Sequence, residues 1–518
     1  MKTIERISVI AATALLAFSC YEDLGNYEYV TLPEVTIDTS DPSIQSNYAV
    51  YRYDTLRITP RIYYDGVEVT DDNASSSNLE FTWSIFQAVV GGKIYSRDTL
   101  SHKIALEAPI AKPAGQWVVH LSVTDKSTSI QEYARFVVQV DETISDGWMV
   151  LYETPEGDTD LGLIVDDYIK NGVVLDRVFT DLYAGTNGVH LKGLPKGMVH
   201  SAATLGSGEI LVCSEHEFVG VDKISFEPTF PFEKLFWEAP DVQAPTAIGA
   251  NHYRREALIN NNRIHIADHS GMSTTRTSYY GDACLGNYGR LAEWLCDYPS
   301  STYDAVVYDQ DGKRFLAHPY NSVQMDSFAE QDPGLAAFDV NDVGMTMVTS
   351  DYGRSYYEYS IMRSGSEFRL LVSDFHNADM ETEDVGKMSI DMSGFPGIED
   401  VCTVSASLSG EYLFYGGGSD VCIFKYNSGS PATSVWKAPA GEEVTCVCIE
   451  KINFPQIYES TVPYPCQILY IATMGSTGNS GKVYEFKIDP ASGEIDTESE
   501  RVREGFGKIV KMCYKWTF

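Results

Sequence analysis

The sequence predicts an all-β protein of two domains, an immunoglobulin-like β-sandwich followed by a seven-bladed β-propeller closed by its C-terminal strand. Three observations carry that reading. Between about residues 35 and 142, apolar and polar residues alternate between turn signals, the period of half-buried strands. From residue 146 onward a unit of strand, turn, strand, turn and strand recurs at intervals of roughly 40 to 60 residues, the spacing of propeller blades. The chain then ends on a lone strand, "GKIVKMCYKW", with no partner after it, while the first unit has no strand before it.

In chain order, residues 1–19 read as an export signal. Lys2 and Arg6 precede the apolar stretch Ile7–Phe18, which is too short to span a bilayer of ~30 Å. Small Ser19 stands before Cys20, the arrangement that lets a lipoprotein signal peptidase reach the scissile bond and leaves Cys20 for acylation. Leu16 and Ala17 resemble the bacterial lipobox, and Phe18 departs from it, being bulkier than the residue usual there. Residues 20–34 form an acylated tether. Within it Glu22 and Asp23 resemble the acidic signal that sends Bacteroidetes lipoproteins to the cell surface. Acyl chains contribute ~0.8 kcal/mol per buried methylene, so lipid alone accounts for membrane attachment.

Residues 35–142 contain "YRYDTLRITPRIYYDG", "LEFTWSIF", "GQWVVHLSVTDKSTS" and "EYARFVVQV", enough strands for one sandwich. Trp83 in "FTWSIF" and the alternation Trp117, Val119, Leu121, Val123 resemble the PKD-type module, in which a strand tryptophan packs across two sheets. Its expected role is that of a spacer.

The region 146–518 is read as the propeller. Its expected second strands are "WMVLYE", "EILVCS", "EALIN", "RFLAHP", "YYEYSIMR", "EYLFYGG" and "QILYIAT", and the fourth unit lacks a clear third strand. Degenerate repeats leave six and eight blades open. Placing the final strand beside "WMVLYE" would remove the exposed edges of an open ring.

The whole order, acylated cysteine, "YEDLGNYEY", PKD-type module and long β region, resembles the PKD-like surface lipoproteins of Bacteroidetes. That resemblance implies a Sus-like transporter as partner and capture of an extracellular glycan or peptide. Acidic composition agrees with it. Removing residues 1–19 takes away Lys2, Arg6 and Glu5, leaving 36 basic and 72 acidic side chains, a surface that repels nucleic acid and anionic lipid.

Chemical motifs are sparse. In "RIHIADH", His265 and His269 share a strand face and Asp268 takes the other, which leaves zinc short of ligands. "DQDGKRF" begins like a calcium loop but has Tyr320 at its twelfth position, so Asp309 reads as a hairpin turn residue. "YGGGSD" lacks a phosphate-loop ending, and "SDYGRSYY" resembles an Asp-box turn only in part. No nucleophile elbow or zincin helix appears, and no catalytic residue, metal or cofactor is assigned.

Of nine cysteines after residue 200, Cys446 and Cys448 read as same-face core thiols, while Cys284 and Cys296 could close the irregular segment between two blades as a disulfide worth about 2 to 4 kcal/mol. That segment, "TRTSYYGDACLGNYGRLAEWLCDYPSSTYD", is long for a structureless insertion and carries Tyr279, Tyr280, Tyr288, Trp294 and Tyr298. Planar aromatics of this kind stack on sugars or pack peptide side chains, and these five are the expected ligand-binding residues. The alternative is that Trp294 and Leu295 merely pin the loop. The functional expectation is a nutrient-binding surface lipoprotein; a propeller glycoside hydrolase or lyase, or a non-binding structural subunit, are the alternatives.

Replacing Cys20 by Ala should leave the protein unprocessed or unanchored. Replacing Glu22 and Asp23 by Ala should leave it acylated but facing inward. Protease treatment of intact cells measures both, and equal cleavage of wild type and the double variant would remove the export role of the acidic pair.

Overall fold

The computed structural model describes residues 32–87, 97–141, 146–173, 176–201, 208–269, 276, 278–452 and 462–516. The signal segment, Cys20, Glu22 and Asp23 lie outside the described residues. Regular structure is almost entirely strand, and among the described residues no helix is long and apolar enough to cross a membrane. The chain divides into two compact units, one of residues up to 49, 55–108 and 116–139, the other of residues 50–54, 109–115 and 140–518.

The first unit is built on alternation. Leu79–Gln87 pairs with Gly115–Asp125 so that Phe81 faces Val123, Trp83 faces Leu121 and Ile85 faces Val119. Trp83, Ile85, Val119, Leu121 and Val123 are all buried, as period-two burial requires. The Trp83 ring stacks on Phe136 at 5.9 Å, and its indole N–H donates to the Lys103 carbonyl at 3.0 Å, so burial leaves no orphan donor.

Among the described residues the second unit contains seven antiparallel sheets. The second, fifth, sixth and seventh each have four strands in chain order: Pro195–Ser201 to Pro228–Phe230, Thr346–Tyr352 to Gly386–Asp391, Thr403–Ala406 to Thr433–Lys437, and Glu443–Ile449 to Ile495–Phe506. The first sheet is assembled from both ends of the unit. Lys508–Lys515 lies beside Gly147–Glu153, with Trp148 opposite Tyr514 and Met149 opposite Cys513, and Thr159–Val165 and Arg177–Phe179 follow outward. The expected pairing of the terminal strand with "WMVLYE" is therefore present. At the crossing, a Cβ on Gly507 would lie 1.8 Å from the Glu153 carbonyl oxygen, so only glycine fits.

The third and fourth sheets correct the sequence reading. Within the aromatic segment, Gly281 and Cys284 donate to Ile266 and Ile264 at 3.0 and 2.8 Å, extending the third sheet beyond Arg263–Asp268. Further on, Ala292 and Cys296 donate to Tyr308 and Val306 at 2.9 and 3.1 Å, laying residues 291–297 beside Tyr303–Asp309. Arg314–Pro319, "RFLAHP", thus stands third in its sheet and not second, which is why no later third strand was evident. The insertion is the outer margin of one sheet and the inner margin of the next. Its glycines and irregular hydrogen bonding hide both from a search for period-two runs.

One stretch from each sheet faces a common cavity of about 210 Å³: residues 196–197, 247–248, 293–295 with 297, 349–351, 403–405, 446–448 and 511–512. Cys446 packs in the core between the seventh and first sheets and Cys448 packs against that core, in line with the expected same-face thiols.

Deleting residues 507–518 should leave Gly147–Glu153 without its neighbour and lower the melting temperature of the whole second unit, not merely fray an end. Thermal denaturation checks this, and an unchanged melting temperature would show that the pairing contributes nothing to stability.

Candidate functional site

In the third, fourth and fifth sheets a cavity-lining stretch runs directly into a connection that carries aromatic residues. His252 follows the strand Pro245–Ala250, Tyr298 follows residues 291–297, and Tyr352 ends the strand Thr346–Tyr352 just before Tyr356. Tyr298 sits at the centre of the resulting cluster. Its ring lies 4.6 Å from Tyr352, 4.9 Å from Tyr356 and 5.1 Å from His252, the last two stacked. His376 completes it, 4.8 Å from Tyr356 and 5.7 Å from His252. Ser355 and Tyr356 adopt φ of 64° and 58°, a left-handed conformation that costs a non-glycine residue roughly 1 to 2 kcal/mol. Backbone strain of this kind clusters at ligand-binding positions.

Beneath the aromatics the cavity wall is charged. Asp351 is paired with Lys451 and accepts the Ala406 amide at 2.9 Å. The Lys451 ammonium also lies 4.2 Å from the centre of the Tyr352 ring, a cation–π contact. Asp297 lines the cavity next to Tyr298 and has no hydrogen-bond or ion-pair partner among the described residues. Desolvation raises its pKa, against the opposing pull of Lys511. Behind it Glu358 is buried, with Ser350 donating to one carboxylate oxygen at 3.3 Å and the other oxygen unbonded. Burial first and the Asp297 charge second push Glu358 up to about 8, so it carries a proton at neutral pH. His252 moves the other way, to about 4, through desolvation, His376 and Arg255. It is neutral in the same range.

Of the five expected ligand-binding residues, Tyr298 occupies this cluster and Trp294 lies lower on the cavity wall, its ring edge-on to Phe315 at 6.0 Å. Tyr279 is half-buried elsewhere, against the exposed Trp237 at 5.0 Å. Tyr280 and Tyr288 are corrections. Tyr280 is fully buried and donates to Glu256 at 3.0 Å, and Tyr288 is buried with its hydroxyl on the Cys284 carbonyl at 2.7 Å. Both are core residues because the strands they flank turn them inward. Cys284 and Cys296 are free thiols in two separate core clusters, so the expected bridge is not formed. Burial pushes Cys284 up to about 12 and likewise raises Cys296 well above its ordinary value.

His265 Nδ1 donates to the Gly281 carbonyl at 2.9 Å, whereas His269 lies 3.2 Å from Glu256. Asp309 accepts the amides of Asp311 and Gly312 at 3.1 and 2.9 Å, as a turn residue should. A second ionic group, Arg276 between Glu209 and Glu256 at 2.8 and 2.9 Å, is fully occupied and joins the second and third sheets. Asp160, Asp181 and His190 place ligand atoms close together, but Asp160 already accepts three backbone amides and His190.

Sequence reasoning missed His252, Tyr352, Tyr356 and His376. They come from three separate connections, and the one available signal was a position at or just beyond a first strand for His252, Tyr352 and Tyr356; His376 follows a third strand and had none.

Residues 20–195 match the sequence model of the PKD-like family, which covers the sandwich and three of the four strands of the first sheet of the second unit. No curated protein matches the chain. Solved structures that resemble it include a quinonprotein alcohol dehydrogenase-like protein from Bacteroides thetaiotaomicron, at 11% identity over 92% of this chain and 99% of that one, TM-score 0.45. The β-propeller domain of Cps50 (Swd1) from Myceliophteria thermophila aligns at 10% identity over 60% and 87% of the two chains, TM-score 0.34, and the WD40 domain of SCAP from fission yeast at 10% over 60% and 74%, TM-score 0.34.

Glu358 generates a pH-dependent cost. Its folded pKa of about 8 exceeds the ordinary value of 4.5, so the folded chain holds its proton more tightly than the unfolded one. Stability is highest below the unfolded value and falls as pH rises from there through about 8. Glu358→Gln should therefore melt above wild type at pH 8 to 9 and close to it at pH 5, as read by thermal denaturation across pH.

Proposed function

We propose that this protein is a lipid-anchored cell-surface binding protein that takes up an extracellular nutrient, a glycan or a peptide, at the aromatic cluster around Tyr298 and passes it to a Sus-like transporter. The observation that carries this reading is the convergence of Tyr298, Tyr352, Tyr356, His252 and His376 from four separate connections, with Tyr298 and Tyr352 directly following the cavity-lining Asp297 and Asp351. Planar rings held together by their neighbours offer preformed stacking surface and lose little side-chain entropy on binding. In this reading the second unit is a seven-bladed propeller closed by its terminal strand. Support comes from the seven sheets in chain order, the shared cavity and the pairing of Lys508–Lys515 with Gly147–Glu153. The PKD-like module is the spacer, and Cys20 the anchor.

One observation favours a second reading, that of a hydrolase or lyase. Glu358 keeps its proton at neutral pH and stands near the unpartnered Asp297, a combination of acid and carboxylate that glycoside cleavage uses. Product release from oligosaccharides on incubation with the full chain would select it.

A glycan and peptide array probed with the detergent-solubilised full chain should give a discrete set of binders. Replacing Tyr298 and Tyr356 by Ala should weaken the best of them roughly tenfold, at an unchanged melting temperature, if two stacked rings are lost. No binder on the array would leave the structural-subunit reading in its place, and full affinity in the double variant would remove the aromatic cluster as the binding site.

A further inference from the structure

The cavity shared by the seven sheets has a charge pattern of its own. The terminal strand Lys508–Lys515 packs between Pro195–Ser201 and Glu443–Ile449, the first strands of the second and seventh sheets, so it stands among the strands that line the cavity. Two bulges aim lysines from these strands at it. In Pro195–Ser201 the register steps over Lys196, and in Lys508–Lys515 it steps over Val510, directly before Lys511. A bulge re-aims the side chains beside it, and both lysines line the cavity. Both also act on the thiol of Cys213, opposite Gly197, which sets the two near one another.

Their partners differ. Lys196 is paired with Glu293 at 3.2 Å, and Lys451 with Asp351. Lys511 has no hydrogen-bond or ion-pair partner among the described residues. In a chain with 73 acidic and 38 basic side chains, that is not for want of carboxylates. Asp297 lines the same cavity and feels the Lys511 charge, yet the two form no ion pair, and desolvation shifts Asp297 towards its neutral form in spite of the lysine. Thr349, also on the wall, makes no hydrogen bond through its hydroxyl among the described residues. The cavity therefore presents one uncompensated cation with polar groups free to bond beside it.

Going beyond the binding reading above and not depending on it, we propose that the cavity is a site for one small carboxylate, held by Lys511 with Lys196 beside it. Size and charge select that class. At about 210 Å³ the space is below the ~300 Å³ at which pockets for drug-sized ligands begin. One unpartnered cation matches a single negative charge, whereas Glu293, Asp297 and Asp351 on the wall repel a dianion more strongly. A carboxylate bound beside Asp297 favours the neutral form of that group, whose O–H then donates to the ligand. A sugar acid and a peptide C-terminus share this chemistry.

The test is titration calorimetry on the detergent-solubilised full chain at low ionic strength and about pH 6, where ordinary carboxylates are ionised. The probes are glucuronate, N-acetylglycine, glucose and sulfate. At least one of the two carboxylates should bind roughly tenfold more tightly than glucose or sulfate. Lys511→Gln should reduce it to the level of glucose at an unchanged melting temperature. Lys511→Arg should keep the preference, and so should Asp297→Asn, whose amide still donates. Preference for glucuronate would make the source a sugar acid, and preference for N-acetylglycine a peptide end. Carboxylates no tighter than glucose, sulfate tighter than either, or a preference that survives Lys511→Gln would overturn the inference. Should Lys511→Gln not fold, Lys196→Gln serves in its place: a loss of roughly threefold is expected from the weaker field, and full affinity would overturn the inference.

Discussion

Everything in the second unit depends on the satisfaction of one strand edge. Gly147–Glu153 has Thr159–Val165 on one side, and on the other only Lys508–Lys515, more than 350 residues later, can take its backbone groups. An edge left open would expose a row of amides and carbonyls beside a strand whose side chains are nearly all buried. The same arrangement brings Trp148 against Tyr470 of the seventh sheet, rings 4.2 Å apart and 14° from parallel. Gly507 is what the geometry demands at the crossing, since any side chain there would collide with Glu153. Loop closure over such a separation is entropically expensive, and a hydrophobic cluster shared between the first and seventh sheets offsets it.

Neighbouring sheets are joined by more than apolar contact. Arg276 bridges Glu209 and Glu256 between the second and third sheets, and Arg503 bridges Glu485 and Asp166 at the seventh and first. Burial alone would push Glu256 up, yet Arg276 and His269 hold it well below the usual carboxylate range. Such groups add little net stability over an apolar pair of the same size, but losing one partner leaves a bare buried charge. They therefore fix which sheets meet and in what orientation. In a fold of near-identical layers that specificity matters more than adhesion.

With the sheets fixed in this way, one stretch of each lines a single cavity, and connections of the third, fourth and fifth bring their aromatic residues together. None of the cluster residues is unusual alone. Tyr298 follows an irregular strand, Tyr352 closes a regular one, and His252 and His376 lie in ordinary turns. The aromatic segment attracted attention for its length and its five rings, and it does contribute Tyr298 and the cavity-lining Trp294 and Asp297. Its remaining tyrosines serve the sheets. Tyr280 and Tyr288 are drawn into the core because residues around 281–284 and 291–297 hydrogen-bond as sheet margins, which turns alternate side chains inward.

The sequence by itself determined what depends on local periodicity and composition. It set the all-β class, the tryptophan-centred sandwich, the recurrence of the β unit, the pairing of the terminal strand and the acidic surface, because alternation and turn residues act over a few neighbours. Tertiary structure alone decided which aromatics meet, that Asp297 stands unpaired on the cavity wall, that Glu358 keeps its proton and that Cys284 and Cys296 stay apart. These properties arise from burial and from the approach of side chains distant in sequence. Desolvation and ring contact depend on what surrounds a group in space, and a one-dimensional pattern does not contain that.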